Sequence, residues 1–323
     1  MIAWSQDRYG SPDVVRRVET AVPTPDAGEV LIRVGMTGLN SADVRIMRGE
    51  PLLVRLAFGL RRPKTPVPGR DVAGTVESIG SGVRSFAVGD RVVGELPGAG
   101  GLAEYVVAPA DRLVAVPAGV DDLTAAALPL AGGTAWQALD AAGVTDGSRV
   151  LVLGAGGGVG TFAVRLAVLR GAEVHAFSSD RAIAAVERLG ATAVTDRAAG
   201  LDGIPAGAFD AVLDLGGRAP LAALQRLVRD GGTVVGVAVG ENRIGPVGRM
   251  LASAFRSIGS RRRIRPLAAT AKPEITAQLV ALAASGDLVP VIDRVYPLAE
   301  ADAALTRVDG GGLVGKVLVQ PAR

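Results

Sequence analysis

Between Val150 and Gly160 the sequence reads VLVLGAGGGVG, an apolar run that passes into a turn with glycine at 154, 156, 157, 158 and 160. Glycine has no Cβ, so its backbone can approach a bulky anion closely. A helix opening at such a turn also presents unpaired N–H groups and a partial positive charge. That is chemistry for a pyrophosphate. The literal G-x-G-x-x-G spacing is absent, because Val159 stands where its third glycine would fall; Gly154, Gly157 and Gly160 supply G-x-x-G-x-x-G instead. A glycine turn can also serve only to pack a helix tightly on a strand. Here it lies between a strand and a helix, with a second strand following, and that context points to a dinucleotide held by Gly154, Gly156, Gly157, Gly158, Val159 and Gly160.

The second strand, Glu173 to Phe177, runs into Ser178-Ser179-Asp180-Arg181. An acidic residue closing this strand would hold a ribose 2′-hydroxyl. Two hydroxyls and a guanidinium instead suit a 2′-phosphate, which arginine grips with paired charge-assisted hydrogen bonds. NADPH is therefore the expected cofactor, through Ser178, Ser179 and Arg181. The alternative use of the serines is to cap the helix that begins near Arg181.

Groups able to move a proton or bind a metal are few. The chain has no cysteine and a single histidine. This composition excludes disulfides and thiol catalysis, and nearly every protein zinc site, because zinc prefers sulfur and imidazole ligands. No metal is expected. His175 falls inside the second strand, where a structural role is expected rather than general acid catalysis. Tyr105 reads as strand packing, and Tyr9 lies in an N-terminal hairpin. The run Arg261, Arg262, Arg263 and Arg265 reads as a solvated loop or an oligomer edge.

The elements that must position these residues follow from periodicity. Residues 1 to about 120 break into short Val/Ile/Leu runs between Gly, Pro and Asp, as in GEVLIRVGMTGLN, GRDVAGTVESIG and GLAEYVVAPADRLVAVP, which predicts a barrel-like β domain. From about 124 onward strands alternate with helices, predicting βαβ units in a parallel sheet. A length of 323 residues favours two domains. With 35 basic against 32 acidic residues spread along the chain, no nucleic-acid footprint is expected. No apolar run reaches the length of a membrane span, and the N-terminus lacks the apolar core of a signal peptide, so a cytoplasmic protein with no membrane partner is expected.

In chain order the segments YGSPDVV, Gly38-Leu39-Asn40-Ser41-Ala42-Asp43, PGRDVAGTV, GDRV, GLAEY, GGTAW, the glycine turn and Gly315-Lys316-Val317 resemble the medium-chain dehydrogenase/reductase superfamily over essentially the whole chain. The resemblance implies a GroES-like catalytic domain, 1–123 and 287–323, and a doubly wound Rossmann NAD(P)-binding domain, 124–286, with the active site in the cleft. The zinc-dependent alcohol dehydrogenases of the superfamily need an early Cys and His that this chain lacks. The N-x-x-D stretch from Asn40 to Asp43 is similar to that of the zinc-independent quinone oxidoreductase branch. The apolar-basic insert at 52–63 also points to a zinc-free subgroup, and reads as an amphipathic helix or lid. One departure touches substrate choice: where the better-studied quinone reductases place tyrosines after the Asn motif, Ile46, Met47 and Arg48 stand here.

By the same resemblance Asn40, Asp43 and Thr134 are the candidate catalytic residues, Asn40 on the substrate side and Thr134 starting a helix that faces the nicotinamide. Leu215, Gly216, Val237 and Lys316 are expected to complete the cofactor site. Hydride transfer to a quinone or enone fits a protein with no metal and no obvious acid: a few oriented donors can hold the developing oxyanion, and solvent can protonate the enolate. An alcohol/ketone couple or a catalytically inactive NADPH-binding scaffold are the alternatives. A homodimer built around 232–264 is expected from the same relatives.

Overall fold

The computed structural model describes residues 1–237 and 247–322, with the side chains of Val247 and Met250 not described. Two compact units emerge, 1–133 with 271–323 and 134–270. These bounds differ from the sequence expectation by about a helix at each crossing.

The first unit opens with β1 (Ile2–Ser5), β2 (Arg16–Glu19), β3 (Glu29–Leu39), α1 (Ser41–Arg48), α2 (Val54–Phe58), β4 (Asp71–Ile79), β5 (Arg91–Glu95), β6 (Tyr105–Pro109) and β7 (Leu113–Ala115). Two helices follow, α3 (Asp122–Ala127) and α4 (Pro129–Ala142), and α4 carries the chain into the second unit. That unit contains β8 (Arg149–Leu153), α5 (Gly158–Leu169), β9 (Glu173–Ser178), α6 (Ile183–Arg188), β10 (Ala193–Asp196) and β11 (Phe209–Asp214). Its remaining elements are α7 (Leu221–Leu227), β12 (Val228–Gly236), α8 (Val247–Ser257) and β13 (Arg263–Pro266). The chain then returns to the first unit with α9 (Pro273–Ala284), β14 (Ile292–Pro297), α10 (Ala301–Asp309) and β15 (Lys316–Gln320).

The first unit is a seven-stranded sheet in the order β14-β15-β3-β4-β5-β7, with β6 also paired to β3. All its pairs are antiparallel except β14 with β15. The long β3 alternates buried Val30, Ile32 and Val34 into a core shared with Val72, Val76, Val92 and Val106. Helix α3 lies against β3 so closely that a Cβ on Gly38 would fall 2.3 Å from the Ala126 carbonyl, which explains why α3 belongs here rather than with the second unit. On the other side of Gly132, Leu279 of α9 sits within reach of a Cβ at 2.8 Å, and α9 joins the same unit.

The second unit is a six-stranded parallel sheet in the order β10-β9-β8-β11-β12-β13. Read along the chain from β8 this is the doubly wound order 3-2-1-4-5-6, whose direction of winding reverses between β8 and β11. Its central strands are apolar on both faces, as strands covered by helices on each side must be: Val150, Leu151, Val152, Val212 and Leu213 are fully buried.

Candidate functional site

In the second unit the reversal point gathers the loops that follow β8, β9, β11 and β12. The chain leaves β8 through Gly154 at φ 84°, a left-handed conformation that excludes a side chain without strain. Gly154 and Ala155 both donate to the Phe177 carbonyl at 3.0 Å, which ties the turn to the end of β9. Gly160 is needed for a different reason: a Cβ there would lie 2.2 Å from the Gly154 carbonyl oxygen, so only glycine lets α5 start this close to the turn. Gly157 is the N-cap of α5, whose first N–H groups have no partner within the helix. A Cβ at Gly156 would lie 2.4 Å from the Ala182 Cβ and 2.7 Å from Ser178 Oγ, which keeps backbone exposed beside that hydroxyl.

Around the turn three side chains stand uncommitted. Ser178 is 2% exposed and its Oγ has no hydrogen-bond partner. Ser179 sits at an N-cap position without making a side-chain cap, so the capping alternative for the serines is not what the geometry uses. Arg181 is exposed and makes no ion pair or side-chain hydrogen bond among the described residues. Leu215 and Gly216 follow β11, with the Leu215 N–H donating to the Leu153 carbonyl at 3.1 Å, and Val237 follows β12. Asp214 anchors the 215–217 loop by accepting from the Gly217 N–H at 2.9 Å and from Arg249 at 2.6 Å. Burial still holds its carboxyl above the ordinary range. A buried orphan hydroxyl, a bare backbone turn and a free guanidinium suit a phosphorylated dinucleotide. Thr134 lies elsewhere: α4 begins at Pro129, so this residue is inside the helix rather than at its start. It is buried, and its hydroxyl makes no hydrogen bond among the described residues.

The first unit holds a buried polar cluster built from four elements. Asn40 ends β3 and caps α1, with its N–H donating to Asp43 Oδ2 at 2.8 Å. Asp71, the first residue of β4 and fully buried, accepts from Asn40 Nδ2 at 2.9 Å, from Lys316 Nζ at 3.2 Å and, on its other oxygen, from the Leu130 N–H at 3.1 Å. Lys316, the first residue of β15 and 1% exposed, also donates to Asn40 Oδ1 at 2.5 Å. Register explains the meeting, since Gly38 pairs with both Asp71 and Leu318, and Leu39 with Val317. Across from Asp71 on β5 stands Glu95, which pairs with Arg70 at 2.7 Å. Three carboxylates thus share two cations. Burial first, and then the charge of Asp71, push Asp43 up to about 6 and Glu95 up to about 7.

Of the sequence candidates, the structure brings Asn40, Asp43 and Lys316 together. It also redirects them. Both ends of the Asn40 amide are engaged by Lys316 and Asp71, Asp43 serves the capping box, and the Lys316 ammonium, expected at the cofactor, is spent on Asn40 and Asp71. Sequence reasoning passed over Asp71, Arg70 and Glu95. The signal was present in GRDVAG, where two charges interrupt an apolar strand start. His175 is a satisfied strand residue, with Nε2 2.9 Å from Glu173 Oε1 and its ring edge-on to Phe209. Tyr9 donates to the Gly59 carbonyl, and Tyr105 stands half-buried at the start of β6.

Two family profiles match the chain: the alcohol dehydrogenase GroES-like domain over residues 26–118 and the zinc-binding dehydrogenase domain over 189–319. A chloroplast envelope quinone oxidoreductase homolog from Arabidopsis thaliana is 36% identical across 99% of this chain and 98% of its own. A 2-methylene-furan-3-one reductase from Solanum lycopersicum is 33% identical across 99% of this chain and 79% of its own. Among solved structures, the quinone oxidoreductase from Coxiella burnetii superposes with a TM-score of 0.87 at 29% identity, covering 100% of this chain and 99% of that one. The described residues do not fit the zinc that the zinc-binding dehydrogenase family is named for. The chain has no Cys, its one His is bonded to Glu173, and no group of three His, Cys, Asp or Glu among the described residues is placed to hold a metal.

Proposed function

The chain belongs to the medium-chain dehydrogenase/reductase superfamily, among quinone oxidoreductase-like relatives, and from that premise we propose that this oxidoreductase uses NADPH to deliver hydride to a conjugated carbonyl, a quinone or an enone. The observation that carries the reading is the set of uncommitted groups beside the glycine turn: the orphan Ser178 hydroxyl, Ser179 and the unpaired Arg181. Gly154 to Gly160 and the first turn of α5 would hold the pyrophosphate, and Ser178 and Arg181 the 2′-phosphate. The nicotinamide, when bound, supplies the hydride. The names of the Arabidopsis and Solanum relatives support a quinone or an enone as acceptor.

For this chain's own residues the division of labour is as follows. Thr134 keeps a free hydroxyl and is the candidate orienting donor. Asn40, Asp71 and Lys316 brace one another, so Asn40 acts on the reaction by fixing the local backbone rather than by direct contact. His175 is committed to Glu173, which leaves the enolate to be protonated by solvent. Association through β13, the edge strand of this sheet among the described residues, would build the homodimer; the 238–246 part of the expected interface lies outside the described residues.

The test is NADPH oxidation against a panel of quinones, enones and saturated ketones, using C4-deuterated cofactor in ordinary water to locate the hydride. Arg181→Ala should raise the KM for NADPH at least about tenfold, ~1.4 kcal/mol, and leave NADH nearly unchanged. Equal losses with both cofactors refute the 2′-phosphate assignment, and a clear preference for saturated ketones refutes the acceptor class.

A further inference from the structure

The segment from Glu50 to Lys64 in the first unit is absorbed by none of the chemistry above, yet its surface is unusual. Leu52, Leu53, Leu56 and Leu60 are 54%, 43%, 67% and 69% exposed, a concentration of large aliphatic side chains in nine residues. Scattered exposed leucines are ordinary, whereas a contiguous set marks a contact surface. Directly after them come Arg61, Arg62 and Lys64, all exposed and all without an ion pair or side-chain hydrogen bond among the described residues. The fourth cation, Arg55, is held back, stacked over the Tyr9 ring at 4.6 Å and bonded to the Gly49 carbonyl at 3.0 Å. Glu50 is the one acidic residue in the segment.

The segment is held rigidly at its base. Tyr9 donates to the Gly59 carbonyl, the Gly59 N–H bonds Arg55 at 2.9 Å, and the Lys64 N–H bonds Phe58 at 2.7 Å. Gly59 itself, at φ 121°, makes a turn so tight that a Cβ would sit 2.1 Å from the Arg62 carbonyl oxygen. This turn and the Lys64–Phe58 bond bring the backbone of Arg62 and Lys64 back to the C-terminal end of α2, next in the chain to the exposed leucines.

We infer that this patch is a docking surface for an anionic lipid bilayer, with the leucines inserted at the headgroup boundary and Arg61, Arg62 and Lys64 against lipid phosphates. The charge complementarity decides the occupant. A second copy meeting the patch across a two-fold axis would set the same cations against each other. A specific protein partner would be expected to find aromatic anchors, and none of the exposed side chains here is aromatic: they are four leucines, Ala57, three cations and Glu50. Aliphatic insertion combined with basic residues is the signature of interfacial membrane binding. No helix among the described residues is long and apolar enough to cross a membrane, and none is needed for surface attachment. The sequence expectation of no membrane partner considered only spans. The inference stands apart from the reductase reading, because binding is measured without substrate.

The experiment is co-sedimentation of the full chain with vesicles of phosphatidylcholine alone and of equal phosphatidylcholine and phosphatidylglycerol. Binding is expected on the anionic vesicles and should weaken with salt. Each cation contributes about 1 kcal/mol near such a surface, so Arg61→Ala with Arg62→Ala should lower the partition coefficient roughly 30-fold. Leu56→Ser with Leu60→Ser should lower it by at least tenfold (about 1.4 kcal/mol) at unchanged charge and unchanged Tm. Absence of binding to anionic vesicles overturns the inference. So does undiminished binding of the leucine variant, which would mean charge attraction alone, and so does equally strong capture by soluble polyglutamate, which would mean an acidic polypeptide.

Discussion

Lys316→Met offers the sharpest test of how the first unit is held together. The ammonium is 1% exposed and sits 3.2 Å from Asp71, which is fully buried. At an effective dielectric constant of about 20, unit charges that close attract by roughly 5 kcal/mol. Desolvation offsets much of that attraction while the pair is intact. Removing one partner leaves the other charge buried without compensation, which costs about 3–5 kcal/mol. Asp71 would keep its bonds from Asn40 and the Leu130 N–H but face Asp43 and Glu95 with only Arg70 to balance them. Urea unfolding followed by fluorescence is well placed to read this, since Trp4 lies in the core of the first unit and Trp136 in the second. In a Trp136→Phe background Trp4 reports the first unit alone. Lys316→Met should destabilise it by about 3–5 kcal/mol, and adding Asp71→Asn should recover at least about 2 kcal/mol by removing the stranded charge. The deficit should shrink toward pH 4, where Asp43 and Glu95, pushed up to about 6 and about 7, are protonated in the folded state and no longer add their charge beside Asp71. A loss below about 1 kcal/mol, or a double variant no more stable than the single one, refutes the reasoning.

Because Asp43 and Glu95 are pushed up to about 6 and about 7, the folded chain binds protons more tightly than the unfolded one. Their contribution is therefore fully present below about pH 4 and is lost as the pH rises through 6 and 7; Glu95→Gln should narrow the stability difference between pH 5 and pH 8 by about 2–3 kcal/mol in urea titrations. Gly160→Ala places a Cβ 2.2 Å from the Gly154 carbonyl oxygen and should cost about 2–3 kcal/mol together with most of the NADPH affinity by calorimetry. Gly216→Ala, with open space around it, should leave Tm within about 2 °C of the parent. With no sulfur ligand and its single imidazole bonded to Glu173, the chain should carry far less than one zinc by metal analysis and keep its activity in chelator.

Local pattern alone was enough to read the architecture and the strand–turn–helix around the glycines. The short apolar run from Val30 to Val34, the continuous runs of β8 and β11 and the glycines after Leu153 are constraints that a strand or a turn imposes on its own few residues, so they can be read without the rest of the chain. The same holds for His175, whose place inside a strand already spoke against catalysis. The boundary between units was less legible, because α3 and α9 are apolar helices whose allegiance is set by which sheet they pack on. The cluster of Asn40, Asp71, Glu95 and Lys316 was the least legible. Lys316 stands 245 residues from Asp71, and only the pairing of β15 with β3, and of β3 with β4, brings them within hydrogen-bond reach. Sequence could show that Asn40 and Lys316 were polar residues at strand ends. Whether their donors reach a ligand or one another depends on strand register, which is decided by burial of the whole sheet.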